Sequence, residues 1–352
     1  MDLKEVIQTL KVGIIGGTGY VGAELIRLLS CHKKIEISAI SSVSFSGKKL
    51  SDIYQNFYNL NNLVCENEED VLEKSDIIFL ALPNGLSEEL AEKILKRNKI
   101  CIDMGADFRF KNGLTYKKWY GKDFSLPELH EKSVYGLPEL NREKIKGAKI
   151  IGNPGCYATS IELALLPLIS KNLIEETGII SDSKSGVTGS GKSLSESSHF
   201  TNCNESLSAY KIANHRHTPE IEETLGSISS KDVKLTFVPH LLPINRGILS
   251  TIYTTPKEKI NLTELHKEYS NFYKNEPFVN VLPLGGTAKI NNVRLSNYCQ
   301  ISLHYDAENN KLILVSCIDN MIKGSAGQGI QNMNLALGFN EKEGLDFIPP
   351  AF

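Results

Sequence analysis

Short apolar runs alternate with helical patterns over the first 155 residues of the chain. Five runs are largely apolar: "KVGIIGG", "IEISAISS", "DIIFLALPN", "KICIDMG" and "AKIIGNPG". The first is followed by "VGAELIRLLSCH" and the third by "GLSEELAEKILKRN", in which apolar residues recur at helical spacing. Buried strands that alternate with helices indicate a parallel sheet covered on both faces. Residues 1–155 are therefore predicted to form a Rossmann-type α/β domain.

The pattern changes after residue 156. "IELALLPLISKNL" predicts a helix, and longer strands follow in "KLTFVPHLLP", "GILSTIYTTP" and "CQISLHYDAENNKLILVSCIDN", the last a hairpin that turns at residues 308–310. These segments predict an α+β domain with a mixed or antiparallel sheet over residues 156–320. "GSAGQGIQNMNLALG" predicts a helix that ends at Gly338. We expect this C-terminal segment, residues 321–352, to pack back on the first domain.

Composition narrows the possible partners. A chain of 352 residues exceeds what one core usually organises, which agrees with two domains. The formal net charge of -2 gives no electrostatic reason to expect nucleic acid or a membrane as partner. No apolar run approaches the roughly 18 residues that span a bilayer. A small-molecule substrate is the expectation that remains.

The cysteines and the N-terminus indicate a cytoplasmic protein. The seven cysteines are scattered and contain no C-x-x-C pair, a distribution that fits reduced thiols better than disulfides or a zinc site. The segment "MDLKEVIQTL" is acidic and amphipathic, and it lacks the order of regions of a signal peptide. No metal is expected.

A dinucleotide loop follows the first predicted strand. Gly17, Gly19 and Gly22 have G-x-G-x-x-G spacing between a strand and a helix, where backbone N–H groups can approach a pyrophosphate. The expected contacts come from Gly16, Gly17, Thr18, Gly19, Tyr20, Val21 and Gly22. The second strand ends at Ser41 and Ser42 without the carboxylate that binds the ribose of NAD. Hydroxyls and Lys48 can instead hold a 2′-phosphate, so NADP(H) is the predicted cofactor.

Cys156 is the candidate nucleophile. It follows Asn-Pro-Gly and begins a predicted helix, whose positive end stabilises a thiolate. Such a cysteine suits covalent acyl chemistry. "NHRHTPEIEETL" supplies two candidates for the proton-transfer partner, His215 and His217, before a helix that Thr218 is expected to cap and Pro219 to open. The alternative is a pair of solvated loop imidazoles.

The string "GVTGSGKS" from Gly186 to Ser193 matches the phosphate loop of nucleotide hydrolases. Such a loop needs an apolar strand running into its first glycine and a helix after its Lys-Ser. Here the strand "GIIS" is expected to end before the polar "DSKS", and "LSESSHFTNCNES" has no helical stripe. The match is therefore interpreted as accidental, and ATP hydrolysis is the weakest of the functional alternatives.

With these residues assembled, the chain resembles the N-acetyl-gamma-glutamyl-phosphate reductases of the semialdehyde dehydrogenase superfamily. The resemblance extends nearly end to end. Its carriers are "GGTGYVGAELIRLL", "ALPNG", "DMGADFR", "YGLPELNR", "GNPGCYATS", "SGVTGSGKS", "NESLSAYKIANHRHTPE", "FVPHLLPINRGI" and "DNMIKGSAGQGIQNMN". "GNPGCYAT" together with "HRHTPE" distinguishes these reductases from the aspartate-semialdehyde dehydrogenases, which remain the nearest alternative. A non-catalytic NADP-binding regulator would be expected to lack the cysteine or the histidines.

The resemblance implies NADPH-dependent reduction of N-acetyl-L-glutamyl 5-phosphate to the 5-semialdehyde through a cysteine thioester, in arginine biosynthesis. Cys156 and a histidine of the second motif, with His217 favoured over His215, would be catalytic. It also implies a catalytic and dimerisation role for residues 156–320, and a homodimer or homotetramer. Further cofactor contacts are expected from Pro83, Asn84 and Gly324, and substrate contacts from Arg109, Asn153, Ser185, Gly186, His215 and Arg246.

The chain departs from its relatives at two basic positions. Many relatives carry an arginine just after the serines of the second strand, where this chain has "SSVSFSGKK". Binding of a 2′-phosphate is then expected to be weaker or to depend on Lys48 instead. Relatives also often have arginine at the position of Lys192, so no role is assigned to Lys192 from the resemblance.

Overall fold

The computed structural model describes residues 9–352. The amphipathic segment predicted at the N-terminus lies largely outside these residues. The strands of the first sheet are β1 (Leu10–Ile15), β2 (Ile35–Ser41), β3 (Cys65–Glu66), β4 (Ile77–Leu80), β5 (Ile100–Asp103), β6 (Val134–Tyr135) and β7 (Ile150–Gly152). They form a sheet in the order β3-β2-β1-β4-β5-β7-β6, with every neighbouring pair parallel. The Rossmann-type prediction is confirmed.

Seven helices connect these strands. They are α1 (Tyr20–Leu29), α2 (Leu50–Ile53), α3 (Glu68–Lys74), α4 (Ser87–Lys96), α5 (Gly113–Tyr120), α6 (Pro127–Lys132) and α7 (Pro138–Ile145). The glycine loop lies between β1 and α1, at the carboxyl edge of the sheet, where open α/β sheets bind their ligands.

The second half of the chain contains a mixed sheet, as predicted. Its helices are α8 (Cys156–Ser170), α9 (Phe200–Cys203), α10 (His217–Ser229) and α11 (Leu262–Phe272), and α12 (Gly327–Ala336) follows its last strand. Its strands are β8 (Ile179–Gly186), β9 (Ser208–Ala209), β10 (Leu235–Leu242), β11 (Ile248–Thr254), β12 (Val279–Val281), β13 (Cys299–Asp306) and β14 (Lys311–Ile318). The order is β12-β13-β14-β11-β8-β10-β9. β13 and β14 pair as the expected hairpin.

Helix α8 crosses the core of the second sheet. Residues 157–169 of this helix are all buried, against α10 and the sheet. Because the helix is buried on every side, it is enclosed by protein, and its first residue is held at a fixed place. That residue is Cys156.

The C-terminal segment joins the core of the first sheet. A π-helical turn, Ile322–Ala326, leads into α12. Ile330 and Met333 of α12 belong to the same buried cluster as Val12 and Ile14 of β1. A methyl group added at Gly329 would lie 3.2 Å from the ring of Phe79, so α12 is in close contact with the sheet.

Two local predictions were wrong. Strand β8 continues through the polar "DSKS" to Gly186, because Ser181, Ser183 and Ser185 are buried on one face of the strand. Helix α10 begins at His217, so Thr218 lies inside its first turn and does not cap it. The residues after Gly186 form a 3₁₀ turn, Val187–Ser190, rather than the long helix that a phosphate loop requires.

Candidate active site

Cys156 faces a cavity of about 500 Å³ between the two sheets. The cavity is lined by Leu82, Asn84, Met104, Gly105, Ala106, Arg109, Tyr120, Cys156, Tyr157, Ser185, Gly186, Gly189, Ser190, Tyr210, Lys211, His215, Arg216, His217 and Leu241. The fold thus brings together Cys156, both candidate histidines, Arg109 and the start of the "GVTGSGKS" loop. These residues are far apart in sequence.

The Cys156 thiol is neutral near pH 7 in this site. Burial raises the pKa of Cys156 to about 11, although the positive charge of Arg109 and nearby backbone N–H groups oppose the shift. The sequence led us to expect a thiolate at the helix start. Desolvation of the anion outweighs the helix contribution here, so the thiol needs a base to become a nucleophile.

His217 packs against Gly155, the residue before Cys156. A methyl group added at Gly155 would lie 2.4 Å from His217 Nε2, so the ring rests on the backbone that precedes Cys156. His217 Nδ1 is buried and has no hydrogen-bond partner among the described residues. Burial, with the charges of Arg109 and Lys211, lowers the pKa of His217 to about 3. The imidazole is therefore neutral near pH 7, and the same surroundings make it a weaker base than a solvated histidine.

His215 supports His217 from the preceding loop. The backbone N–H of His217 donates to His215 Nδ1 at 3.1 Å, and the two rings meet edge to face with centroids 4.7 Å apart. Burial and the neighbouring His217 lower the pKa of His215 to about 2. His215 thus fixes the start of α10, in addition to lining the cavity.

Glu220 is a buried residue of the site that sequence reasoning missed. Its carboxylate accepts the backbone N–H of Gly155 at 2.7 Å and pairs with Arg109 at 3.2 Å. Glu220 follows His217 by three residues in α10, so both side chains lie on one face of the helix. That spacing in "HRHTPE" was the available signal. The carboxylate ties Arg109 to the turn that carries Cys156.

Arg109 presents its guanidinium to the cavity from a fixed frame. Its Nε donates to the carbonyl of Asn153 at 2.7 Å, and another nitrogen donates to the carbonyl of Met104 at 3.2 Å. With the Glu220 pair, three of its five N–H donors are engaged, which leaves donors for an anion.

Three other predicted residues occupy different places. Gly324 lies in the π-helical turn, where an added methyl group would come within 2.8 Å of Cys156 Cβ. Asn153 is buried behind the cavity and donates to the carbonyl of Ser325 at 3.1 Å. Arg246 is not brought to the cavity, because it pairs with Glu24 at 2.7 Å and Asp319 at 3.1 Å.

A groove of about 730 Å³ runs along the glycine loop. Its lining includes Gly16, Thr18, Gly19, Ser42, Pro83, Lys93, Lys192 and Ser193, and it meets the Cys156 cavity at Leu82. Gly16 has a φ of +88°, and a methyl group there would lie 2.3 Å from the carbonyl oxygen of Ala81. Thr18 and Ser42 join their hydroxyls at 2.6 Å across the groove floor. This bare backbone cradle fits a dinucleotide pyrophosphate.

Charged groups of the groove differ from those expected. Lys48 is exposed and lies 5.7 Å from the Phe45 ring, outside the groove lining. Lys93 and Lys192 do line the groove, together with Glu68 and Glu89. Glu68, Glu89 and Lys93 were not expected, because they reach the groove from α3 and α4 rather than from β2, and Lys192 reaches it from the second domain.

The described part of the chain has neither a membrane-spanning helix nor a metal-binding cluster. Within residues 9–352, no helix is long and apolar enough to cross a membrane. In the same residues, no group of three or more His, Cys, Asp or Glu side chains is arranged to hold a metal ion.

Comparison with known proteins gives two family matches and many relatives. Residues 11–148 match "Semialdehyde dehydrogenase, NAD binding domain", and residues 156–320 match "Semialdehyde dehydrogenase, dimerisation domain". A protein of Clostridium kluyveri is 69% identical over 343 residues, which cover 97% of this chain and 100% of the relative. Proteins of Clostridium botulinum and Brachyspira hyodysenteriae are 64% and 53% identical, with the same coverage. All three are named N-acetyl-gamma-glutamyl-phosphate reductase.

Solved structures share the fold at low identity. Aspartate semialdehyde dehydrogenase II of Vibrio cholerae has a TM-score of 0.71 at 16% identity, covering 94% of this chain and 99% of its own. The Candida albicans enzyme, solved with NADP, has a TM-score of 0.70 at 17% identity, covering 93% and 98%. At such identities the likeness establishes the two-domain fold.

Proposed function

The chain belongs to the N-acetyl-gamma-glutamyl-phosphate reductase family, and on that premise we propose how its site performs the reaction. The enzyme reduces N-acetyl-L-glutamyl 5-phosphate to N-acetyl-L-glutamate 5-semialdehyde with release of phosphate, a step of arginine biosynthesis. The observation that carries the proposal is the cavity in which Cys156, His217 and Arg109 meet, joined at Leu82 to the dinucleotide groove.

The first step is acyl transfer to Cys156. Because the thiol is neutral and His217 is a neutral base beside it, His217 accepts the thiol proton as sulfur attacks the acyl carbon. The carbon–oxygen bond to phosphate breaks, and inorganic phosphate leaves with the bonding electron pair. A thioester of Cys156 remains.

The second step reduces the thioester. A nicotinamide cofactor held in the groove along Gly16, Thr18 and Gly19 would supply the hydride for the thioester carbonyl carbon. The oxyanion that develops expels the Cys156 thiolate as the carbon–sulfur bond breaks, which gives the aldehyde, and the thiolate takes back the proton held by His217. Arg109, with its unengaged donors, stabilises an anionic group of the substrate bidentately. We assign this role to Arg109 rather than Arg246, whose guanidinium is occupied by Glu24 and Asp319. Ser185 and Gly186 also line the cavity.

The cofactor that we propose is NADP(H). The support is that β2 ends in Ser41 and Ser42 without a carboxylate and that lysines line the groove. Ser42→Asp would place a negative charge beside the 2′-phosphate and offer an acceptor to a free ribose hydroxyl. We expect it to shift the kcat/KM ratio toward NADH by about ten- to a hundredfold. Ser51→Asp, in α2 and outside the groove lining, is the control, and an unchanged ratio in Ser42→Asp would contradict this assignment.

Assembly and location follow from the same premise. The match of residues 156–320 to a dimerisation domain supports a homodimer or homotetramer. The seven cysteines are all free, which suits the reducing cytoplasm.

The direct test is the reverse reaction. Purified protein is mixed with N-acetyl-glutamate 5-semialdehyde, phosphate and NADP⁺, and absorbance of the reduced cofactor is followed. We expect reduction of NADP⁺ that depends on phosphate, and little activity with aspartate 4-semialdehyde. Turnover of the aspartate compound at a higher kcat/KM would contradict the substrate assignment, since the fold alone fits both.

A further inference from the structure

Lys192 reaches across from the second domain to the dinucleotide groove. It lies in the "GVTGSGKS" loop that follows β8, yet it lines the groove beside Thr18 and Ser42 of the first domain. Its Nζ is 4.8 Å from the centroid of the Tyr54 ring and 5.5 Å from that of Phe45. Both rings belong to the first domain, so the ammonium is held over a surface that its own domain does not supply.

A chain of hydrogen bonds connects this ammonium to the glycine loop. Lys192 Nζ donates to the Tyr54 hydroxyl at 3.2 Å, and that hydroxyl donates to the backbone carbonyl of Thr18 at 2.9 Å. The Thr18 hydroxyl in turn contacts the Ser42 hydroxyl at 2.6 Å. Lys192 is thus positioned at the corner formed by the glycine loop and the end of β2. In a Rossmann domain this corner faces the 2′ position of the adenosine ribose.

The positive charge of Lys192 is not neutralised by the protein. Lys192 forms no ion pair within the described residues. Aromatic faces attract a cation while leaving its donors available to an anion. The other charges that line the groove are Lys93, Glu68 and Glu89. The two carboxylates would repel a 2′-phosphate, and Lys192 adds a second positive charge to that of Lys93.

We propose that Lys192 is the residue that recognises the ribose 2′-phosphate of the cofactor, and that it does so from the opposite domain. The inference rests on the proposed NADP(H) dependence. The "GVTGSGKS" loop therefore does bind a phosphate through its lysine, although not as a nucleotide-hydrolase loop. Cofactor choice would also depend on closure of the two domains over the groove.

The test measures binding of two fragments that differ only by the 2′-phosphate. Dissociation constants of adenosine 2′,5′-bisphosphate and of AMP are determined by calorimetry for the wild type and for Lys192→Met. We expect Lys192→Met to weaken the bisphosphate by at least about tenfold and AMP by less than about twofold. Lys192→Arg keeps the charge and should keep the preference. Lys34→Met is the matched control, because Lys34 also lies over a phenylalanine ring, 4.8 Å from that of Phe339, away from the groove.

The outcomes separate the inference from the proposed function. Wild-type protein that prefers the bisphosphate, with the preference intact in Lys192→Met, would overturn the role of Lys192 and leave NADP(H) standing. Equal weakening of both fragments would also overturn it, because the ammonium would then act on the 5′-phosphate. Wild-type protein without any preference would overturn NADP(H) dependence and the inference together. Lys48→Met, at the position favoured from sequence, is expected to cause a smaller loss than Lys192→Met.

Discussion

The Cys156 thiol is protonated near pH 7, so its reactivity toward alkylating reagents depends on pH. Since its pKa is about 11, the thiolate fraction rises about tenfold per pH unit below that value. We expect the rate of inactivation by iodoacetamide to climb steadily from pH 7 to pH 9. Labelling is followed in parallel by mass spectrometry, in which Cys156→Ser, which should fold normally and lose nearly all turnover, reports the labelling of the other free cysteines. A rate that is already constant near pH 7 would show a stabilised thiolate instead.

His217 and His215 differ in their roles despite their proximity. His217 rests against Gly155 and is the proposed proton acceptor, so His217→Asn should lower kcat by about 10²–10⁴-fold. His215 accepts the backbone N–H of His217, and an asparagine oxygen can replace that acceptor. His215→Asn should therefore cost clearly less, as measured by steady-state kinetics with both substrates saturating. Reversed effects would exchange the two roles.

At the residue scale, local sequence motifs predicted Cys156 and the histidine pair, but not the residues that hold them in place. Cys156 and the histidine pair stand in local motifs, where a turn and a helix start are visible in the letters. The contact of Glu220 with the Gly155 N–H joins residues that are 65 apart in sequence, and Lys192 meets a tyrosine 138 residues away. Such contacts depend on how the two sheets are placed, which no local pattern records.

At the scale of elements, the turn before α8 separates Cys156, the proposed nucleophile, from His217, the proposed base. Gly155→Ala would drive a methyl group against the His217 ring, since its Cβ would lie 2.4 Å from Nε2. We expect kcat to fall by about a hundredfold, the usual effect of misplacing a catalytic group by about 1 Å, with an unchanged far-UV circular dichroism spectrum.

Gly189→Ala is the matched control for this prediction. Gly189 lines the same cavity, but a methyl group there would meet nothing closer than 3.6 Å. It should retain near-normal kcat. Equal losses in the two variants would mean that the cavity, rather than the His217 position, is sensitive to added volume.

Elements with apolar patterns were predicted well, and β8 shows the limit of that approach. Its buried face carries serines, and their hydroxyls bond to one another and to neighbouring elements: Ser183 to Ser250 at 2.8 Å, and Ser160 to Ser250 at 3.0 Å. A polar strand is stable in the core when each hydroxyl finds a partner. Hydrophobic periodicity cannot detect it, because the partners come from β11 and α8.

For the whole molecule, the first domain depends on the last helix. Ile330, Met333 and Leu335 are buried in its core, and each contributes about 1.5–3 kcal/mol. Their sum is comparable to the whole stability of a typical domain. We expect residues 1–155 alone to show no cooperative thermal transition by circular dichroism, and a fusion of residues 1–155 to 321–352 through a flexible linker to show one. A cooperative transition of residues 1–155 alone would contradict this.

The ribosome synthesises the chain from its N-terminus, so the helix that covers the first sheet is made long after the sheet itself. The strands of the first sheet emerge early, but the helix that covers Phe79 and Met104 is among the last segments synthesised. The core residues of the second domain all precede that helix in the chain. The second domain is therefore the first unit able to finish folding. A nascent chain therefore keeps an apolar face of its N-terminal sheet open until translation is nearly complete. A ribosome that stalls before residue 327 leaves that face uncovered, available to chaperones and proteases.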